Sequence, residues 1–325
     1  MTIQRLIASL FVALLATHAA TAQTTTPTFP SKPIKIVVPF GAGGVGDLTA
    51  RVVAKKLGES LGQPVVIDNK PGAGGVVAGD TVAKSEPDGH TLLLMSNGTA
   101  VSAGLFKSLP FDPMRDFAPV STLGYFDIAV IVPVDSKFKT LGDLLAHARA
   151  NPGKLNLGSI NIGSTQNLAA ELFKSSSGAD MQIIPFKGTP AVITALRGGQ
   201  IDVAVEILGP VLPQINAQAL RALAVTGDKR TVLLPDVPTA KESGLSTFVV
   251  SSWNALAAPA KTPKAVIARL NKEVVAALNA PDVKKKLYDL NVEARASSPE
   301  QAAELLASEI KRWGEVITRA GIAKQ

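Results

Sequence analysis

The chain has no cysteine, which rules out disulfides and a lipid-bearing cysteine, so its 325 residues rely on an apolar core alone. Aromatic residues are only 5% of it, too few to supply the stacking rings of a nucleic-acid surface, and there are three histidines. His90 sits in a "PDGHT" turn and His147 inside a helical "LGDLLAHARA", neither beside a Glu or His at metal-ligand spacing. A G-x-S-x-G nucleophile elbow is missing as well. Hydrolysis and metal chemistry therefore have little to stand on, and neither a metal nor a cofactor is expected. Beyond Gln23, charges or Gly/Pro punctuation break every apolar run short of the ~20 residues a membrane helix needs.

What is present begins with a leader. Met1–Gln23 carries one positive charge at Arg5, an apolar run from Leu6 to Leu15, and Ala20-Thr21-Ala22 as a small-x-small cleavage site. Thr17, His18 and Thr21 interrupt the run too early for a membrane anchor. The segment reads as a secretory signal peptide cleaved after Ala22, leaving a diffusible periplasmic protein of about two domains' length. The net charge of +7 is spread along the chain. Its tightest cluster, Lys284-Lys285-Lys286, reads as a solvated helix face, and no nucleic acid is expected as a partner.

Short β-branched runs alternate with helical patterns: Ile34–Val38, then Leu48–Leu61, Val65–Ile67, Val76–Lys84 and Thr91–Met95. That alternation implies parallel strands with helices on both faces of a sheet. The segments Thr262–Leu278 and Pro299–Ala320 are amphipathic enough to pack on one. Within the first βα unit, Gly41, Gly43 and Gly46 spell a formal G-x-G-x-x-G, and Asp68 ends the next apolar run as a ribose-binding carboxylate would. Two features argue against a dinucleotide. Pro39-Phe40 separates strand from glycine, and Asp47 stands where a pyrophosphate should be welcomed. The run "IVVPFGAGG" is echoed by "IIPFKGTP" at Ile183–Pro190, so two sheets facing each other would bring similar loops to one cleft.

Taken together, "FPSKPIKIVVPFGAGGVGD", "LGQPVVIDNKPGAGG", "PDGHTLLL", "GSTQNLAAELF", "IPFKGTPAVITAL", "GQIDV", "LRALAVT", "LPDVPT" and "SSWNALAAPAKTP" resemble the substrate-binding proteins of tripartite tricarboxylate transporters, often called Bug receptors. The resemblance covers essentially the mature chain. It implies an α/β, two-lobed, flytrap-like (type II) periplasmic-binding-protein fold with a mixed β-sheet in each lobe. Residues 28–125 plus 251–325 would form lobe one and 126–250 lobe two. It also implies a monomeric receptor that captures a small organic acid and delivers it to the membrane subunits of a transporter, with an exported hydrolase or dinucleotide enzyme as the alternative. The chain departs from many members by Phe186 for Tyr, Asn167 for His and Glu206 for Asp.

Within such a cleft, the turn Gly41, Ala42, Gly43 and Gly44 would present backbone N–H groups to a carboxylate, with Phe40 as an apolar wall. Asp47, as an N-cap or first-turn residue, would fix that loop, or pair with an ammonium if the ligand were an amino acid, as Glu206 would. Gly163, Ser164, Thr165 and Gln166 repeat the logic with side chains at a helix start. Ser96 and Thr99, past the strand Thr91–Met95, are expected as cleft hydroxyls, and Phe186 and Lys187 as a wall and a counter-charge. Arg51, four residues past Asp47, reads as its exposed helical partner.

Overall fold

A computed structural model of the chain describes residues 29–319 and 321–325; the leader and its cleavage site lie outside them. Strands β1 (Ile34–Val38), β2 (Val65–Asn69) and β3 (Thr91–Ser96) form a parallel set, in the order β2-β1-β3. They alternate with helices α1 (Val45–Leu61), α2 (Val76–Ala83) and α3 (Asn97–Leu105). A second parallel set, β6-β5-β7, is made by β5 (Asn156–Ile160), β6 (Gln182–Phe186) and β7 (Val203–Ile207), interleaved with α5 (Thr165–Ser177) and α6 (Thr189–Arg197). Helix α4 (Leu141–Ala150) precedes this set and α7 (Leu208–Asn216) follows it.

One strand joins the two sets. β4 (Phe117–Pro133) pairs antiparallel with β9 (Ser251–Pro259) over Phe117–Asp127, then with β7 over Ile128–Ile131 and with β8 (Leu220–Val225) over Ala129–Pro133. Its partners change between Asp127 and Ile128. Strand β9 also pairs antiparallel with β3, so the chain's late segment returns to the first sheet. Helices α8 (Lys264–Asn279), α9 (Pro281–Asp289) and α10 (Pro299–Arg319), with the short β10 (Val292–Ala294) on β4, complete that side.

The βαβ runs are parallel as their alternation implies, and the antiparallel β4, β8, β9 and β10 make each sheet mixed, as the family resemblance implies. Antiparallel pairing between distant segments leaves no local signal in the sequence. Helix starts and ends shift by a few residues; α1 begins at Val45 because Gly44 is its N-cap. The strand period of two sorts the core. On β4, Ile128, Val130 and Val132 face the main apolar cluster while Ala129 and Ile131 face a smaller one under α6 and α7. On β7, Val203, Val205 and Ile207 join the first cluster and Ala204 the second. Glu206 therefore falls on the face where an apolar side chain belongs.

Candidate functional site

Five strands end at one place, and each is followed by a helix that starts there. Gly44 caps α1, Ser96 α3, Ser164 α5, Gly188 α6 and Ile207 α7. Around these starts lies a narrow cavity of about 20 Å³ lined by Phe40, Gly41, Gly44, Val45, Gly46, Ser96, Phe126, Ile160, Thr165, Gln166, Gly188, Thr189, Ile207, Ser252 and Asn254. No side chain in this lining is charged. The polarity comes from hydroxyls, amides and backbone.

Among the described residues, the N–H groups of Gly44, Val45 and Gly46 at α1, Thr165 and Gln166 at α5, and Thr189 at α6 meet no protein acceptor. The first N–H groups of a helix need an outside partner, and the helix dipole adds about half a positive charge at each start. Five starts thus supply a field of about two and a half positive charges. Asn254 adds to this. It is fully buried, opposite Ser96 in the β3–β9 ladder, and neither end of its amide has a hydrogen-bond partner. A buried amide without partners costs stability, so its retention here points to a group that enters the cavity and satisfies it.

The close approach of the two loop sets depends on glycine. A Cβ on Gly41 would lie 3.0 Å from the Lys187 carbonyl oxygen. Gly163, at φ +82°, would place one 2.9 Å from the Gly74 Cα. The echoed loops after β1 and β6 do meet, and Ser252 Oγ donates to Thr165 Oγ1 across the same junction at 3.2 Å.

The residues singled out from sequence divide into two groups. Phe40, Gly41, Gly44, Ser96, Thr165 and Gln166 line the cavity; Ala42, Gly43, Asp47, Thr99, Gly163, Ser164, Phe186, Lys187 and Glu206 do not. Several of the second group build the loops instead. Asp47, in the first turn of α1, accepts from the Gly43 N–H at 2.9 Å, from Asn69 Nδ2 at 2.9 Å and from Arg51. Burial would raise its carboxyl, but the Arg51 guanidinium, the Gly43 N–H and the Asn69 amide together hold it below its ordinary value. Its bond to Gly43 also occupies an N–H that a pyrophosphate would need, which removes the dinucleotide reading. Ser164 Oγ accepts from the Asn167 N–H, and Asn167 Oδ1 from the Gly163 N–H. Thr99 closes a capping box with Ser96. Lys187 is exposed, and Ala42 likewise faces outward.

Outside the glycine turn of residues 41–46, the cavity residues that sequence reasoning passed over are Phe126, Ile160, Gly188, Thr189, Ile207, Ser252 and Asn254. Ser252 and Asn254 lie in the "SSWNALAAP" segment, where alternate residues of β9 face one way; the signal was there, but not the pairing that brings it to Ser96. Trp253 points away into the core.

Glu206 lies just behind the lining. It is fully buried, and its Oε2 accepts from Thr189 Oγ1 at 3.0 Å, the Ile207 N–H at 3.2 Å and Gln166 Nε2 at 3.4 Å, while Oε1 has no partner. Burial pushes its carboxyl from 4.5 up to about 7, against the three hydrogen bonds that favour the ion.

A cleft between two sheets, walled by helix starts and neutral polar groups, has the build of a site for a bound solute. The comparisons agree: residues 49–322 match the tripartite tricarboxylate transporter family receptor, and the chain belongs to that family. The protein BugT of Bordetella pertussis is 36% identical over 323 residues, 99% of each chain. The structure of the periplasmic binding protein BugD gives a TM-score of 0.88 at 32% identity, over 91% of this chain and 100% of that one. Rpa4515 of R. palustris with adipate gives 0.87 at 33%, over 91% and 99%. MatC of Rhodopseudomonas palustris with bound malate gives 0.85 at 33%, over 89% and 100%. The fold is therefore the two-lobed periplasmic-binding-protein type. No described helix is long and apolar enough to cross a membrane.

A carboxyl raised by burial is protonated in the folded state at pH values where it is already ionised in the unfolded one. Glu206 therefore lowers stability as pH rises from about 4.5 to about 7, by up to about 3 kcal/mol. Glu206→Gln should be more stable than the wild type at pH 8, and the gain should vanish by pH 4, as read by urea denaturation. A pH-independent difference would show that Glu206 does not titrate in this range.

Proposed function

We propose that the protein captures a small organic dicarboxylate between its two lobes in the periplasm and delivers it, as a monomer, to the membrane subunits of a tripartite tricarboxylate-type transporter. Lobe one comprises residues 28–125 and 251–325 and lobe two residues 126–250, with β4 and the chain before β9 as the crossings. The observation that carries this reading is the ring of five helix starts around a cavity with no basic side chain. Such a site attracts an anion through fixed N–H groups, and its field of about two and a half positive charges suits a diacid better than a monoacid. Two of the ring's similar solved relatives, holding adipate and malate, support the ligand class.

The ligand is held by the N–H groups of α1, α5 and α6, by Ser96, Thr165, Thr189 and Ser252 hydroxyls, and by the Gln166 and Asn254 amides. Asp47, Ser164 and Thr99 act by shaping the loops. Residues of both sheets contribute, so each ligand end bonds fully only in the closed form, which distinguishes loaded from empty receptor for a partner.

Calorimetry with malate and adipate, each beside its monoamide, tests the two-ended grip: the diacid should bind at least about tenfold more tightly, one charge-assisted hydrogen bond's worth. Equal affinities in both pairs would contradict it. Asn254→Leu separates binding from folding. Removing an unsatisfied buried amide should leave stability unchanged or raise it by about 1 kcal/mol, while affinity falls at least about tenfold. A variant that loses stability but binds normally would place Asn254 in the core alone.

A further inference from the structure

Glu206 is a carboxyl without a cation. Its three donors all converge on Oε2, and all three donor residues, Thr189, Ile207 and Gln166, line the cavity; Thr189 and Gln166 donate from their side chains. An ionised carboxylate only accepts, so it ties the single Thr189 hydroxyl proton to itself and leaves Thr189 facing the cavity with lone pairs. A carboxylate ligand also only accepts. The two compete for one proton and for one positive field.

The neighbouring elements offer no charge to relieve that competition. β4 places Ala129 opposite Glu206. The ionisable groups on the surrounding elements are engaged elsewhere or face solvent: Asp127 of β4 takes a hydrogen bond from Asn291, Lys174 of α5 pairs with Asp180, and Arg197 of α6 donates to Gln214. Glu171 has that same Lys174 as its charged neighbour, and Lys187, before α6, is exposed. The fixed charge at the site is the set of helix starts, about two and a half positive charges by this count, against three negative ones when an ionised Glu206 and a diacid are both present. A proton on Glu206 removes the excess of negative charge.

We propose, building on the carboxylate reading of the cleft, that Glu206 takes up one proton from solvent when the cavity closes on a dicarboxylate, and that this proton reverses the Glu206–Thr189 hydrogen bond. Protonated Oε2 donates to Thr189 Oγ1, and the Thr189 hydroxyl proton turns to the ligand. No covalent bond other than the new O–H forms or breaks. Glu206 is thus a positioning residue that makes ligand capture proton-linked, tightening as pH falls through neutrality. Its resting carboxyl near pH 7 is suited to this exchange.

Calorimetry of malate and adipate at pH 7 and 8, in buffers of differing ionisation enthalpy, counts the protons. The expected result is net uptake approaching one proton per ligand at pH 8, with affinity falling by up to about tenfold per pH unit above neutral. Glu206→Gln should abolish both the uptake and the pH dependence. Carbon-13 NMR of the wild type labelled at glutamate carboxyls gives a readout that needs no variant: one glutamate carboxyl should move to its protonated position on ligand addition. Binding without uptake, uptake that persists in Glu206→Gln, or proton release, as an ammonium-bearing ligand paired with Glu206 would give, overturns the proton linkage and leaves the receptor reading intact. Failure of both diacids to bind at millimolar concentration overturns the two together.

Discussion

The structure turns on the unmet hydrogen-bonding need of helix starts. Each α-helix leaves its first N–H groups without internal partners, and a protein usually satisfies them with a capping side chain or water. Here α3 and α5 are capped by serines, whereas α1, α6 and α7 start on Gly44, Gly188 and Ile207 with no side-chain cap. Because all five follow strands of the two sheets that end at the same cleft, the open valences share one cavity. The fold gathers unmet N–H groups there before any specific side chain is chosen.

That arrangement explains why the lining carries no arginine or lysine. A cationic side chain would need its own partners in the empty state, whereas backbone N–H groups are fixed and can be shared with water. The charged residues near the site serve the scaffold. Asp47, Arg51 and Asn69 lock the loop before α1, and Asn167 with Ser164 locks the one before α5. Glu206 is the exception, a carboxyl on a strand face that alternation assigns to apolar contacts, bonded to the cavity's own donors.

The local half of this was legible in the chain. Strand β1, the glycine turn after it, the helix start at Ser164–Gln166 and the Pro-Phe echo after β6 each follow from neighbouring residues, and the cleft loops were placed from them. The family resemblance extended this to the two-lobed fold. What stayed hidden depends on distant pairing. The antiparallel return of β9 beside β3 brings Asn254 opposite Ser96, and Ser252 to Thr165, across more than 80 residues of chain in each case. No spacing in the sequence encodes those meetings. Thr99, Ser164 and Asp47 show the converse limit: a hydroxyl or carboxylate at a helix start has the same sequence signature whether it caps the helix or faces a ligand.

In the proposed complex, backbone N–H groups at the helix starts, not a cationic side chain, hold the carboxylates. Nitrogen-15 chemical-shift mapping during a titration with malate and with adipate tests it most directly. The largest downfield amide shifts should fall on Gly44, Val45, Gly46, Thr165, Gln166 and Thr189, with Lys187 and Arg51 little changed. Largest changes at the Lys187 and Arg51 side chains, with the helix-start amides unmoved, would contradict it.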